Sequence, residues 1–162
     1  MRILATFFLL FSAGAVFAQN DQLPTAQVFT IEGQSGDISS FVKSDKITIL
    51  NFWATWCSPC KKELDNIAEL YGDWQKEYNV ELIACTIDDA RSLTKVGPMV
   101  QAKGWEYVIL SDRNEDLRRA LNFQNVPYTF VIKDKKIVYT HSGYVEGAEY
   151  ELEEVLKKLS GK

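Results

Sequence analysis

The segment NFWATWCSPCKKEL, residues 51–64, constrains this chain more than any other. It joins a β-branched, apolar run over residues 46–52 to a helical stretch, and it sets Cys57 and Cys60 in one C-x-x-C at the join. The position has chemical consequences. The first turn of a helix has backbone N–H groups without partners and carries the positive end of the dipole. A sulfur placed there is favoured as thiolate, the nucleophile of thiol–disulfide exchange. Pro59 suits such a start, because its fixed φ is helical and its missing N–H costs nothing there. Cys57 and Cys60, three apart, lie on one helix face and can close a disulfide.

Other readings of the pair remain. A structural disulfide over so small a loop stabilises by roughly 2 kcal/mol in the chain-entropy model, less than a long-range bridge. A zinc site needs four ligands, and only Cys85 and His141 remain to complete one. A peroxidatic cysteine needs a nearby threonine and arginine. Thr55 is close, but no arginine is near and the pair spacing is wrong. C-x-x-C beside a βαβ pattern favours redox exchange. Three cysteines in all make no disulfide framework.

Compartment is read from the other end of the chain. Arg2, an apolar run over residues 3–11 and small residues up to Ala18 form a signal peptide pattern. Val16 and Ala18 stand at −3 and −1 of a cleavage before Gln19. The stretch is short for a membrane anchor. The expectation is a signal peptide over residues 1–18, one domain over 19–162, and a periplasmic or otherwise exported soluble protein. A net charge of −4 with no basic stripe argues against nucleic acid.

Beyond residues 19–24, a polar arm, the periodicities alternate. Strands are expected over 28–31, 46–52, 80–87 and 107–110, with a small hairpin return at 37–38. A further hairpin, 128–132 with 137–140, turns at Asp134–Lys135. Helices are expected over 58–78, 93–103, 116–121 and 149–159. Leu64, Ile67, Ala68, Tyr71 and Trp74 form the apolar stripe of the first helix. A βαβ half followed by a ββα half around one sheet is an α/β domain with mixed strand directions. Strand order does not follow from these patterns.

FWATWCSPCK resembles the active-site segment of the thioredoxin superfamily. Other features resemble its TlpA-like and ResA-like exported thiol–disulfide oxidoreductases. Asn51 stands where thioredoxin itself carries a buried aspartate, and Glu63 matches an acidic residue this branch places near the cysteines. The leading hairpin, the extra helix after Ile87 and the ending HSGYVEGAEYELEEVLKKL are also similar. The resemblance implies a thioredoxin fold with an N-terminal β-hairpin extension and an extra helix after the second core strand. It also makes Val126–Pro127, in NVPYTFVI, a cis bond beside the cysteines whose preceding backbone pairs with substrate. Without it, a trans proline opening a strand is the plainer reading. Tyr128 departs from the small residue or threonine frequent there in relatives.

The candidate catalytic residues are therefore Cys57, attacking, and Cys60, resolving, with Glu63 as proton acceptor or, alternatively, an exposed charge favouring the helix dipole. Trp56, Val126 and Pro127 are the candidate substrate-binding residues. Trp53, Trp74 and Trp105 are read as packing, Cys85 as a buried small hydrophobe, and His141 as structural or superficial. No metal or cofactor is implied. The function expected is reduction of disulfides in exported proteins, apocytochrome c among the family's substrates, with reoxidised cysteines restored by a membrane-linked or other thiol reductant. The protein is expected to act as a monomer. An oxidase or isomerase, or a binding module with a structural disulfide, stays open.

Overall fold

The computed structural model describes residues 21–162. The signal peptide expected over residues 1–18 and the cleavage expected after Ala18 lie outside the described residues. A seven-stranded sheet runs through the protein in the order β2-β1-β5-β4-β3-β6-β7. The strands are β1 (Gln27–Thr30), β2 (Ser35–Asp37), β3 (Ile47–Trp53), β4 (Val80–Thr86), β5 (Val108–Ser111), β6 (Tyr128–Lys133) and β7 (Lys136–Ser142). β3, β4 and β5 are parallel; the other pairings are antiparallel. The helices are α1 (Ser58–Tyr78), α2 (Val96–Lys103), α3 (Asp116–Ala120) and α4 (Ala148–Ser160).

Side-chain alternation divides the central strands between two cores. Ile47, Ile49 and Trp53 of β3, Leu82 and Ala84 of β4 and Val131 of β6 pack with α1 and α4. Leu50 and Phe52, Ile83 and Cys85, and Phe130 and Ile132 join the opposite core, against Val28, Ile38 and Leu117. β3 and β4 are buried along their whole length, as continuous apolar parallel strands require. Each large side chain removed from water, Trp53 and Trp74 among them, contributes roughly 2–3 kcal/mol. Trp53 also meets Trp105 edge to face, with ring centroids 5.2 Å apart.

The buried stripe of α1 is Cys60, Glu63, Leu64, Ile67, Tyr71, Trp74 and Tyr78. Ala68, expected on that stripe, is exposed. The helix docks rolled toward its glutamate, because Asn51 and Thr129 wait there to bond it. Asn79 ends α1 in a left-handed conformation, φ 55°, and β4 begins at the next residue.

The expected helix over 93–103 is split: Leu93–Lys95 is a 3-10 turn, and α2 proper begins at Val96. Pro98 lies in the first turn of α2, where its missing donor is tolerated; further inside it would break the helix. The hairpin return ends at Asp37 rather than continuing through Ile38. Ile38–Ser40 form a 3-10 turn, with Asp37 Oδ1 accepting from Ser39 N at 2.9 Å. At the Asp134–Lys135 turn both residues take positive φ, 52° and 61°. The polar arm also has a place. Ile137 N donates to Asp21 O and Leu23 N to Lys135 O, laying residues 21–23 along the start of β7.

Candidate active site

β3 delivers the chain to α1 at the C-terminal edge of the parallel strands, and Cys57 is the residue where the helix begins. Its backbone is extended, φ −86° and ψ 103°, and its sulfur accepts from Cys60 N at 3.3 Å. That N–H is one of the helix's otherwise orphaned donors, so the fold points a partial positive charge at this sulfur. Cys57 and Cys60 form a disulfide with their Cα atoms 5.4 Å apart. Cys57 keeps 5% of its surface exposed and Cys60 none. Of the two sulfurs, an incoming partner meets Cys57 first.

The loop before Cys57 is held from below. Asp88, fully buried just after β4, accepts from Thr55 N at 2.8 Å and from Thr55 Oγ1 at 2.7 Å. Thr86 Oγ1 donates to the same carboxylate at 2.6 Å, and Lys61 Nζ donates to Thr55 O at 3.0 Å. Thr55, the residue a peroxidatic centre would aim at its cysteine, thus gives its hydroxyl to Asp88. With the loop pinned, Trp56 projects outward with 65% of its surface exposed, while Trp53 is wholly buried beneath.

Glu63 lies one turn into α1 from Cys60 and is only 4% exposed. Alternation places Asn51 on the same face of β3 as Ile49 and Trp53, toward α1. Its amide donates to Glu63 Oε2 at 2.9 Å and to Thr129 Oγ1 at 2.8 Å. Thr129 Oγ1 in turn donates to Glu63 Oε1 at 3.3 Å. Burial pushes the Glu63 carboxyl up to about 7 from its ordinary 4.5. The bonds from Asn51 and Thr129 pull it back, and nearby Glu149 pushes it further up. A carboxyl so placed takes or releases a proton near neutrality, within one helical turn of Cys60. Glu63 is therefore not the exposed dipole charge of the alternative reading.

Val126–Pro127 is a cis peptide, directly ahead of β6. Since Phe52 pairs with Tyr128, this bond lies at the end of the sheet where β3 exits toward Cys57. Tyr128 is half-buried and stacks on Phe130, centroids 4.8 Å apart. Cys85 is buried on the far face of β4, and His141 sits on β7, with β3 and β6 between them. At about 4.8 Å per strand the two cannot share an ion. Among the described residues no cluster of His, Cys, Asp or Glu is arranged to hold a metal, and no helix is long and apolar enough to cross a membrane.

Thr129, Asp88 and Glu149 escape the sequence reading. Thr129 carried a signal, being a polar residue at an inward position of an otherwise apolar strand. Asp88 and Glu149 look like ordinary surface acids in the text. Only the fold buries them.

Comparison with known proteins agrees with this geometry. Residues 19–141 match the model of the AhpC/TSA family. The thiol-disulfide oxidoreductase ResA of Bacillus thuringiensis subsp. konkukian is 31% identical over 140 residues, spanning 86% of this chain and 77% of that protein. Among solved structures, a thioredoxin-like protein from Porphyromonas gingivalis superimposes with a TM-score of 0.77 at 40% identity, covering 89% of this chain and 95% of that one. StoA from Bacillus subtilis superimposes with a TM-score of 0.63 at 25% identity, over 82% and 97% of the two chains. The sheet order, the C-x-x-C at the head of α1 and these likenesses converge: the chain belongs to the AhpC/TSA family and is a thioredoxin-fold thiol–disulfide oxidoreductase of the ResA-like group.

Proposed function

We propose that the protein is exported after cleavage behind Ala18 and works as a single-domain, monomeric reductase of disulfides in exported proteins, apocytochrome c included. The buried Asn51–Glu63–Thr129 cluster beneath the cysteine pair carries this reading. Cys57 thiolate attacks a substrate disulfide, displacing one substrate sulfur as thiolate and forming a mixed disulfide. Cys60 then gives its proton to Glu63 and attacks Cys57, which releases the second substrate thiolate. The oxidised protein is returned to the dithiol by a membrane-linked or other thiol reductant. Trp56 offers an exposed aromatic platform to the incoming chain, and Val126 ahead of the cis proline supplies backbone for it to pair with.

Direction follows from charge. A strong oxidant of the DsbA type stabilises its thiolate heavily, with a potential near −120 mV. Here the dipole favours the thiolate, but a carboxylate at Glu63 opposes negative charge on the neighbouring sulfurs. The potential should accordingly lie below about −200 mV. Equilibration with dithiothreitol or glutathione buffers and thiol counting measures it. A value near that of DsbA would refute the reductase direction and leave exchange itself standing. Insulin reduction in dithiothreitol tests whether the pair is a catalyst at all.

A further inference from the structure

Asn51, Thr129 and His141 stand in one row across the sheet. Asn51 is opposite Thr129 in the β3–β6 ladder, and Thr129 is opposite His141 in the β6–β7 ladder. Residues directly opposite one another share a face, so the row leads from the core near Cys60 to β7, the sheet's outer strand. Glu63, Thr129, His141 and Glu149 line a common cavity with Tyr139. Its volume is ≈ 10 Å³, about what one water-sized sphere needs.

A buried carboxyl that accepts a proton in each cycle must also lose it. The groups packed around Glu63 differ in their ability to carry that proton away. Cys57, at the head of the helix, is bonded to the substrate sulfur at that stage, and Cys60, on the helix itself, is the source. Asn51 does not titrate. Tyr107 donates its hydroxyl to Leu64 O at 2.7 Å, and burial pushes its phenol far up. Tyr139 on β7 is also pushed up by burial. Glu149, at the head of α4, is buried with both oxygens engaged. Oε1 accepts from Asn66 Nδ2, and Oε2 accepts from Tyr144 Oη and Gly147 N. His141 is half-buried, lines the cavity and reaches solvent. An imidazole accepts a proton on one ring nitrogen and releases one from the other.

We propose that His141 is the proton outlet of the active site, passing to solvent through this cavity the proton that Glu63 takes from Cys60. The inference rests on the reading of Glu63 as proton acceptor. In the resolution step Cys60–SH and Glu63–COO⁻ become Cys60–S⁻ and Glu63–COOH. Cys60–S⁻ then bonds to Cys57 Sγ, and the substrate sulfur leaves with the electron pair of the broken mixed disulfide. Glu63–COOH next returns to carboxylate as His141 takes up a proton across the cavity, and the imidazolium gives it to bulk water. Glu63 is thereby reset without opening the core, and when a dithiol reduces the disulfide the path runs inward, so that the departing Cys60–S⁻ regains its proton through Glu63. His141 touches neither sulfur; it is a positioning and relay residue.

The test uses the reduced protein in multiple turnover against a disulfide-bonded peptide, with excess dithiothreitol as reductant and tryptophan fluorescence following the cysteine pair. His141→Gln should keep the native circular dichroism and slow turnover roughly tenfold, less than the 10²–10⁴ of a direct acid–base group. Added imidazole should restore the rate in proportion to its concentration. Wild-type turnover in His141→Gln, with Glu63→Gln slow, would overturn the outlet and leave the Glu63 reading intact. A slow His141→Gln that imidazole does not restore also overturns it, since a structural support has no reason to respond. Wild-type turnover in Glu63→Gln removes the Glu63 reading itself.

Discussion

Asn51 Nδ2 donates to Glu63 Oε2 at 2.9 Å in a core that exposes almost nothing of either residue. The donor is a neutral amide, so it satisfies the carboxyl without supplying a countercharge. A cation at the same place would hold the carboxyl ionised at all ordinary pH values. Burial instead prevails, and Glu63 is left to exchange its proton near pH 7.

The raised Glu63 carboxyl makes stability fall as pH rises. Below about 4.5 the group is protonated in both folded and unfolded chains, and folding costs it nothing. Between 4.5 and about 7 the unfolded chain releases the proton while the folded one keeps it, so the folded state binds more protons and loses ground. Above 7 both are ionised and the loss levels off at roughly 3 kcal/mol. Glu63→Gln should abolish this decline, so that urea midpoints of variant and wild type diverge between pH 5 and pH 8. It should also change the pH dependence of alkylation at the reduced cysteines.

Exposure orders the two thiols. Cys60→Ser should accumulate mixed disulfides with exported proteins through Cys57, and Cys57→Ser should trap few, because Cys60 is sealed. Nonreducing electrophoresis with mass spectrometry reads both. Equal trapping by the two variants would reverse or dissolve the assignment.

Asp88 holds the loop that presents Cys57. Asp88→Ala leaves the Thr55 N–H, the Thr55 hydroxyl and the Thr86 hydroxyl without this acceptor. The expected cost is roughly 3 kcal/mol in urea denaturation. Insulin reduction should slow as well, because Cys57 loses its fixed approach. Asp88→Asn keeps one acceptor oxygen and should fall between the two.

Cys85 should be chemically silent. It is buried on the face of the sheet away from the disulfide, and burial with nearby Asp112 pushes its thiol well up. Native oxidised protein should show no thiol to a maleimide, and native reduced protein should show Cys57 first and no label on Cys85. Labelling of Cys85 should appear only in denaturant. Labelling at native rates comparable to Cys57 would contradict the packing described.

Much of the site was legible because it is local. A strand giving way to a helix at a C-x-x-C, with Glu63 one turn further on, occupies a single stretch of chain, and period and turn residues mark it. The hairpin at Asp134–Lys135 is local in the same way. The strand order, with β5 between β1 and β4, is not, since it depends on which distant segments pair. Ala68 and Glu63 show the difference on one helix. Hydropathy alone turns alanine inward and glutamate outward, but the docked helix does the reverse, because Asn51 and Thr129 bond the carboxylate. Thr129 reaches Glu63 across 66 positions of sequence, and Asp88 reaches Thr55 across 33. The sequence by itself determined the chemistry and where along the chain it begins. Tertiary structure alone decided which polar groups share the buried space behind it, because burial and pairing arise only when separate segments exclude water together.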